Sequence, residues 1–479
     1  MNYLEIPLVK KAYDFAETSL AGQKRLSGEE ILEHCVKVAD NLMKFDVTDP
    51  KTLSAAILHH SILNGAATPE DLKEEFGEDI AGILNAFHKL HIVKFRKGTE
   101  KEFAEELRKM FLVLARDLRV VLIKMCDILD NLRTLSCLTR EKGEEVARET
   151  LEIFAPLAER LGIGEMKGEM QDLAFAYLER ASCDKTKQLL QTNLVELNII
   201  LTKIKDELKK SLGKAGIHYR IESRTKHLYS LYMKLCRPEI NFDMSKVSDL
   251  IAFRIVVSTT EDCYKVLDIV HKLWKPVSGS VSDFITHPKP NGYRSIHTKV
   301  VGPQGRIFEI QIRTEEMHEE AEYGLAAHWN YAEMKSRGVS DAEVSRGFAT
   351  SAEKLEWVKN LAKWQKEVTN DSEFLKSVKT DFFGERVFCF TPGGDVKDLP
   401  AGATPVDFAY CLHTEVGDGC SGAKVNGKMV PLDFKIQNGD VVEIILGKGN
   451  KKPNRDWLEF TVTSSAKAQI RKHFKTIKP

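Results

Sequence analysis

The apolar positions of the first 180 residues recur at helical spacing, and few strand signals interrupt them. Residues 53–60 (LSAAILHH) and 115–135 (ARDLRVVLIKMCDILDNLRTL) are two such stretches, each with an apolar face. In the second stretch, Asp127 and Asn131 are four positions apart, so a helix places both on one face. Residues 189–216 form a longer amphipathic pattern and predict a further helix.

The middle third of the chain has a different texture. Residues 217–221, 250–257 and 307–312 are short runs rich in β-branched and aromatic residues, bounded by turn residues. Helical patterns alternate with them, as in residues 263–274. This alternation predicts an α/β or α+β domain.

A compact β-rich pattern begins after Gly384, beyond a helical and largely polar connection. Residues 386–390 and 441–445 read as strands, and the Asn426-Gly427 pair is a hairpin signal. The pattern predicts a separate domain of about 65 residues, and the basic tail after it reads as helical near its end.

Composition narrows the class of protein. The 479 residues suffice for roughly three domains of about 150 residues, and the 43% apolar and 29% charged content is ordinary for a soluble chain. Lysine plus arginine number 70, as do aspartate plus glutamate, so any site for a polyanion must be local. The chain lacks a signal-peptide pattern and a long apolar run, and its nine cysteines are scattered. These features predict a cytoplasmic protein with reduced thiols.

Three stretches of the middle region carry more chemistry than a fold needs. In the first, Lys226, Ser230 and Lys234 are spaced four apart, so a helix would give them one basic, hydroxylic face suited to a triphosphate. In the second, Asp249 opens an apolar strand and Glu309 lies within another. Buried carboxylates are costly unless paired or metal-bound, so acids on adjacent strands would suit Mg²⁺.

The third stretch is a loop, residues 287–298 (HPKPNGYRSIHT), which two prolines and a glycine constrain. Its tyrosine suits base stacking, with basic and amide groups beside it for phosphate and sugar. Each stretch also has a structural reading, respectively a solvated helix face, salt-bridged strand-end acids and a rigid turn. Taken together, the three favour a nucleotide site.

PKPNGYRSIHT, FEIQIRT and EYGLAAHW closely resemble the synthetase domain of long Rel/SpoT-type alarmone synthetase–hydrolases, and the resemblance extends over nearly the whole chain. It implies a nucleotidyltransferase-like α/β domain that uses Mg²⁺, ATP and GDP or GTP, makes (p)ppGpp and releases AMP. Residues 280–283 are nearly neutral where that family carries a charged motif, so the choice between GDP and GTP stays open.

The resemblance also implies roles for single residues. Two arginines would sandwich adenine, lysines and a serine would hold phosphates, one tyrosine would stack on guanine, and one glutamate would bind metal or act as base. The implied catalytic and metal residues are Asp249 and Glu309, the implied ATP-binding residues are Arg224, Lys226, Ser230, Lys234 and Arg254, and the implied acceptor-binding residues are Lys289, Asn291, Tyr293 and His297.

The helical first region resembles the family's HD-type hydrolase, which uses Mn²⁺ to remove the 3′-pyrophosphate. His60 stands where that family has the aspartate of the His-Asp pair, and Leu63 and Asn64 replace an acidic pair. Leucine cannot position water and asparagine cannot accept a proton, so we expect hydrolase activity and Mn²⁺ binding to be unlikely. The residues of this altered, vestigial site are His34, His59, His60, Asp127 and Asn131.

Residues 389–417 (CFTPGGDVKDLPAGATPVDFAYCLHTEVG) resemble a TGS domain, a small β-grasp fold. In ribosome-associated relatives this domain touches the 3′ end of uncharged tRNA, and His413 matches the contacting histidine, although a lone histidine in a turn is more often structural. The expected fold class is therefore multidomain α and α+β. The expected boundaries are 1–180 (HD-type), 181–335 (synthetase), 336–383 (helical connector), 384–447 (TGS) and 448–479 (start of a helical segment).

Two alternatives accompany the synthetase hypothesis. One is a bifunctional enzyme whose altered HD site still hydrolyses (p)ppGpp. The other is a non-catalytic regulator that associates with tRNA or the ribosome and only binds nucleotide. The sequence ends at Pro479, and the zinc-finger-like and ACT regions of long family members are not part of it.

Overall fold

The computed structural model describes residues 2–91, 100–247, 251–289, 292–324, 371–384, 386–447 and 452–475. The chain divides into two compact units. The first comprises Met1–Val281 with Ser295–Glu367, and the second comprises Ser282–Arg294 with Val368–Pro479. Among the described residues, none of the helices combines the length and apolar character that a membrane crossing needs.

The described amino-terminal residues fold into helices, as the pattern predicts. The predicted helix over 115–135 is in fact split, because Asp117 accepts the N–H of Arg119 (3.0 Å) and so caps a new helix. The α-helices are α1 (Pro7–Ser19), α2 (Ile31–Lys44), α3 (Pro50–Leu63), α4 (Pro69–His91), α5 (Glu100–Arg116), α6 (Leu118–Arg133), α7 (Arg140–Glu149), α8 (Ala155–Arg160) and α9 (Gly164–Leu178), with 3-10 turns at Tyr3–Glu5 and Leu135–Cys137 and a π turn at Thr150–Phe154.

Helix α3 lies at the centre of this helical region and packs against α1, α2, α4 and α6. Every residue from Thr52 to Ile62 is buried except His60, which is half-buried. A helix that is apolar all round belongs in a core, which explains the run LSAAILHH. Asp49 caps its first turn by accepting the N–H of Thr52 (2.9 Å). The two consecutive histidines are therefore carried on a fixed element.

The middle region contains a mixed sheet with the strand order β1-β2-β6-β5-β3. Strands β2 and β6 are parallel, and the other pairs on this path are antiparallel. Helix α12 packs on the sheet, where Phe253, Ile255, Ile310 and Ile312 are fully buried. The strands are β1 (Tyr219–Thr225), β2 (Ile251–Val257), β3 (Lys275–Pro276), β4 (Ser282–Asp283, in the second unit), β5 (Ile296–Val301) and β6 (Ile307–Thr314), and the helices are α10 (Arg180–Lys214), α11 (Leu228–Leu235), α12 (Thr260–Leu273) and α13 (Glu315–Tyr323), with 3-10 turns at Met244–Lys246 and Pro303–Gly305.

The second unit contains the predicted small β-rich domain. Asn426 and Gly427 have φ of 51° and 76°, so the hairpin signal marks a real tight turn between two strands. The buried Asp407 accepts hydrogen bonds from the N–H groups of Thr404 (2.9 Å) and Thr463 (2.8 Å). These bonds join the helix Pro405–Leu412 to the segment just before the helix Ser464–Lys475. The elements are α14 (Asp371–Ser377), a π turn (Val378–Phe382), β7 (Arg386–Phe390), β8 (Val396–Pro400), α15 (Pro405–Leu412), α16 (Thr414–Asp418), β9 (Cys420–Val425), β10 (Lys428–Val430), β11 (Val442–Leu446), α17 (Trp457–Phe460) and α18 (Ser464–Lys475).

Candidate active sites

Glu309 lies in the middle of the sheet, on β6 between its parallel neighbour β2 and its antiparallel neighbour β5. Its Cα partners are Ala252 on β2 and Lys299 on β5. The sequence expectation that the strands following Asp249 and containing Glu309 are adjacent is confirmed. Asp249 itself, like Asn291, lies outside the described residues, so the pairing of the two acids stays a prediction.

The Glu309 carboxylate is held by two neighbours on its own face of the sheet. Nδ1 of His297 lies 3.1 Å from Oε1 of Glu309, and Nε2 of Gln311 donates to the same oxygen over 2.9 Å. Burial works to raise the pKa of Glu309, but the hydrogen bonds from His297 and Gln311 and the charge of Lys299 outweigh it and lower the pKa to about 2. The carboxylate is therefore ionised at neutral pH.

Arg254 is buried on β2 and lies between two carboxylates. Its guanidinium approaches Glu222 (3.4 Å) and Glu322 (3.0 Å), and the fully buried Arg313 shares Glu322 (3.1 Å). The Nε atom of Arg254 is buried with no hydrogen-bond partner among the described residues. Sequence reasoning found Arg254 but assigned no role to Glu222 or to Glu322, the first residue of EYGLAAHW, because only the folded chain brings these acids to the arginine.

The predicted basic helix face is only partly formed. Helix α11 begins at Leu228, so Lys226 precedes it, and only Ser230 and Lys234 lie one turn apart on the helix. The prediction that all three share a helix face is therefore wrong, because His227 adopts extended backbone at the N-cap. Of Arg224, the structure describes only the backbone, which pairs with Ala252.

Helix α11 is anchored by a residue that the sequence did not point to. Asp172 on α9 accepts the N–H of Tyr229 through Oδ1 (2.9 Å), and its Oδ2 lies 3.0 Å from Nδ1 of His227. A carboxylate at a helix N-terminus satisfies an otherwise unpaired N–H and complements the helix dipole. The chain from Lys226 to Lys234 is thus positioned from the side of the helical region.

The second unit holds residues 287–289 and 292–294 of the tyrosine loop. The Lys289 ammonium lies over three rings, those of Phe284 (4.7 Å to the centroid), Tyr293 (5.0 Å) and Phe388 (4.6 Å). Such an arrangement is stabilised by cation–π attraction. Gly292, with φ of 80°, supplies the left-handed residue of the turn that brings Lys289 and Tyr293 together.

The helical region brings together three imidazoles, those of His34 on α2 and of His59 and His60 on α3. One ring nitrogen from each lies within 4.8 Å of the other two, so the three could hold a metal ion. Burial lowers the pKa of His60 to about 4 and holds that of His59 well below its usual range, with the neighbouring histidines adding to both shifts. Both rings are neutral at pH 7, which is the form that binds metals.

Two aspartates from α6 face this cluster. Asp127 Oδ1 lies 3.3 Å from Nε2 of His34, and Asp130 accepts from Nδ1 of the same ring (2.6 Å). Burial works to raise the pKa of Asp127, but Lys124 and His34 outweigh it and hold the pKa well below its usual value. Asn131 donates to Asp127 over 2.7 Å, so all five predicted residues of this site are close together. Sequence reasoning missed Asp130.

His413 is exposed, with 66% of its side chain accessible, and lies at the N-cap of α16. Its Nδ1 accepts the N–H of Glu415 over 3.3 Å. The ring thus caps a short helix, as the structural reading of a lone turn histidine expects, and its outer edge stays accessible.

Comparison with known proteins decides the family. Three family models match the chain. An HD-domain model matches residues 12–164, a model described as a region found in RelA / SpoT proteins matches residues 223–336, and a TGS-domain model matches residues 387–446. A GTP pyrophosphokinase of Myxococcus xanthus is 42% identical over 471 residues, which is 98% of this chain and 60% of that protein. The chain belongs to the long Rel/SpoT family.

Other relatives of this Rel/SpoT chain carry different names. A probable guanosine-3′,5′-bis(diphosphate) 3′-pyrophosphohydrolase of Synechocystis is 42% identical over 98% of this chain and 60% of its own length. The bifunctional (p)ppGpp synthase/hydrolase SpoT of Escherichia coli K12 is 40% identical over 99% of this chain and 66% of its own length. The chain thus spans about 60% of the length of the curated relatives it matches first.

These relatives overturn one expectation. From His60, Leu63 and Asn64, the sequence predicts that hydrolase activity is unlikely. Relatives named as hydrolases nevertheless align over nearly the whole chain, and the HD-domain model matches residues 12–164. That expectation is wrong. The expectation gave more weight to the acids missing at Leu63 and Asn64 than to the imidazole that His60 adds to the cluster.

Proposed function

We propose that the middle region transfers the β,γ-pyrophosphate of ATP to the 3′-hydroxyl of GDP or GTP, making (p)ppGpp and releasing AMP. The observation that carries this proposal is the half-buried, ionised Glu309, held by His297 beside the strand that follows Asp249. In the transfer, the 3′-oxygen bonds to the β-phosphorus and the bond from that phosphorus to the α,β-bridging oxygen breaks, so that AMP leaves with this oxygen. The proton of the hydroxyl is released to solvent.

The low pKa of Glu309 favours one of its two possible roles. A group with a pKa of about 2 is a weak base at neutral pH but a good oxygen ligand for a hard cation. Glu309 therefore fits Mg²⁺ together with Asp249, where the ion would neutralise charge on the pyrophosphoryl group. His297 would then orient Glu309 and contact the acceptor nucleotide.

The remaining roles concern nucleotide binding. We assign phosphate contacts to Lys226, Ser230 and Lys234 at the start of and along α11, which Asp172 anchors. Arg254 would reach adenine through a guanidinium whose Nε has no partner among the described residues, with Arg224 on the neighbouring strand. Tyr293 would stack on guanine, with Asn291 in the same loop, and Lys289 would move from its aromatic neighbours to phosphate.

Turnover separates this proposal from a regulator that only binds nucleotide. The full chain is incubated with ATP and GDP or GTP, with Mg²⁺ or with EDTA, and AMP and (p)ppGpp are quantified. Synthesis requires AMP and (p)ppGpp to appear in equal amounts with Mg²⁺ only. Nucleotide binding by calorimetry without any turnover would favour the regulator.

We propose a second activity, (p)ppGpp hydrolysis to GDP or GTP and pyrophosphate, at the cluster formed by His34, His59 and His60. The favouring observation is Nε2 of His59, a fully buried atom with no hydrogen-bond partner among the described residues. A buried imidazole nitrogen of this kind fits a divalent metal, and Asp127 supplies an adjacent carboxylate. The test incubates purified ppGpp with the chain and Mn²⁺ or Zn²⁺ and measures pyrophosphate release.

A third proposal concerns partners. His413 is accessible and lies in the TGS domain, so we assign to it a contact with the 3′ end of uncharged tRNA, read by stacking or hydrogen bonding. Filter binding of deacylated tRNA to the wild-type chain and to His413→Ala tests this assignment. Equal affinity of the two proteins contradicts it.

A further inference from the structure

The hydrogen bonds around the three-histidine cluster direct one nitrogen of every ring toward the others. Nδ1 of His34 donates to Asp130 (2.6 Å) and Nδ1 of His59 donates to the backbone carbonyl of Ala56 (2.5 Å). Nδ1 of His60 faces Oδ1 of Asn64 (3.4 Å). A ring that donates from Nδ1 presents a lone pair at Nε2, which is how proteins orient histidine ligands toward a metal.

Asn64 has a fixed orientation, because its amide nitrogen donates to Oε1 of Gln23 over 2.7 Å. Its oxygen is therefore the atom turned to His60. Two of the three departures from the HD pattern, His60 and Asn64, thus form one interacting pair one helical turn apart. Asn64, which replaces one acid of the HD pattern, therefore faces the imidazole of His60, which replaces another.

We propose that His60 is a metal ligand positioned by Asn64, and that His34, His59, His60 and Asp127 form a site selective for a borderline transition ion such as Zn²⁺ or Co²⁺. The inference rests on the second proposed activity only for its location, since it concerns binding and not hydrolysis. Exchanging a carboxylate for an imidazole removes an oxygen ligand that Mn²⁺ prefers and adds a nitrogen ligand that Zn²⁺ prefers.

One distance between the proposed ligand atoms already matches a shared ion. Two ligands of a tetrahedral zinc ion, each at about 2.1 Å, are about 3.4 Å apart. Nε2 of His34 and Oδ1 of Asp127 are 3.3 Å apart. Lys124 binds the other carboxylate oxygen of Asp127 (2.8 Å). Nε2 of His59, which has no hydrogen-bond partner among the described residues, contributes a third, fully buried ligand atom. His60 is half-buried, and one of its ring nitrogens lies within 4.8 Å of those of His34 and His59.

The test measures metal affinity of the full chain without nucleotide. Zn²⁺ is titrated against a chelating indicator, Mn²⁺ binding is followed by electron paramagnetic resonance, and the visible absorption of Co²⁺ reports its coordination. Because Zn²⁺ outcompetes Mn²⁺ at most sites, the decisive quantity is the Zn²⁺/Mn²⁺ affinity ratio. We expect His60→Asp to lower that ratio at least about 10-fold and to change the Co²⁺ spectrum.

A second variant tests the positioning role. Asn64→Ala leaves every ligand in place and should weaken Zn²⁺ binding by the roughly 10- to 100-fold that loss of an outer partner costs. His218→Gln, at an exposed histidine outside the cluster, is the matched control and should change the affinity for neither Zn²⁺ nor Mn²⁺. Circular dichroism verifies that each variant is folded. A Zn²⁺/Mn²⁺ ratio unchanged in His60→Asp overturns the proposal, whether or not the chain hydrolyses (p)ppGpp.

Discussion

Nδ1 of His297 on β5 lies 3.1 Å from Oε1 of Glu309 on β6. The two residues are two register positions apart across an antiparallel pair, since His297 faces Gln311 and Glu309 faces Lys299. Their contact fixes the carboxylate at the middle of the sheet and contributes to its low pKa. A half-buried acid kept ionised in this way is suited to a metal ion and a polyphosphate.

Removing that charge should stop synthesis without unfolding the chain. Glu309→Gln keeps the shape and one oxygen, so we expect a fall in kcat of at least about 100-fold, as for loss of one preorganised electrostatic group. Glu261→Gln, at an exposed acid on α12, is the control and should behave as wild type. Near-normal turnover of Glu309→Gln would contradict the role given to this carboxylate.

Substitution of Asp172 should change the KM for ATP more than the KM for the acceptor nucleotide. Asp172→Ala removes the cap of α11, which typically costs about 1 kcal/mol, and we expect the KM for ATP to rise about fivefold or more. The amide oxygen in Asp172→Asn can still accept the N–H of Tyr229, so the KM for ATP of this variant should lie between those of wild type and Asp172→Ala. Asp184→Ala, at an exposed acid on α10, is the control. Equal changes in the KM for ATP and for the acceptor would show that Asp172 acts only on overall stability.

Gly168 lies where a side chain would strike the same anchor. A Cβ at this position would be 2.1 Å from Nε2 of His227, whose ring is tied to Asp172. We expect Gly168→Ala to destabilise the chain by about 1–3 kcal/mol and to raise the KM for ATP. Gly164→Ala on the same helix meets no atom within 4 Å and serves as the control. Thermal unfolding and ATP kinetics distinguish the two variants.

Asp79 predicts a pH-dependent contribution to stability. Its hydrogen bond with Arg119 lowers the pKa from 3.8 to about 2; burial opposes the shift and Lys51 adds to it. A depressed pKa stabilises the fold above pH 3.8, and that stabilisation is lost as the pH falls toward 2. Because the side chain is 42% exposed, Asp79→Asn should cost at most about 1 kcal/mol at pH 7.

The measurement is thermal unfolding of wild type and Asp79→Asn at pH 7, 4 and 3. The difference in apparent Tm should shrink as the pH falls. Glu74→Gln, at an exposed acid five residues before Asp79, controls for the loss of one charge. A difference that stays constant between pH 7 and 3 would show that Asp79 stabilises the fold by something other than its charge.

Local patterns predicted the elements well because their causes are local. The apolar periodicity predicted the amino-terminal helices, and Asn426-Gly427 predicted the hairpin turn. The prediction of neighbouring strands for the two acids required only that β2 and β6 be adjacent, which they are. Domain boundaries and most residue roles, by contrast, remain predictions.

Contacts between distant residues could not be predicted from one sequence. Asp172 and His227 are 55 positions apart, and His34 and Asp130 are 96 apart, so no spacing rule connects either pair. The error about hydrolysis has a related cause. The sequence shows that His60 and Asn64 replace acids, but only the structure shows that one side chain faces the other.

Transfer of label tests the central claim most directly. The chain is given ATP labelled at the γ-phosphate, with GDP or GTP and Mg²⁺, and the products are separated. Pyrophosphate transfer predicts that the label moves to (p)ppGpp while unlabelled AMP forms in equal amount, and that Glu309→Gln forms neither. Label recovered only in ATP or inorganic phosphate, with no AMP, would contradict the proposed synthetase.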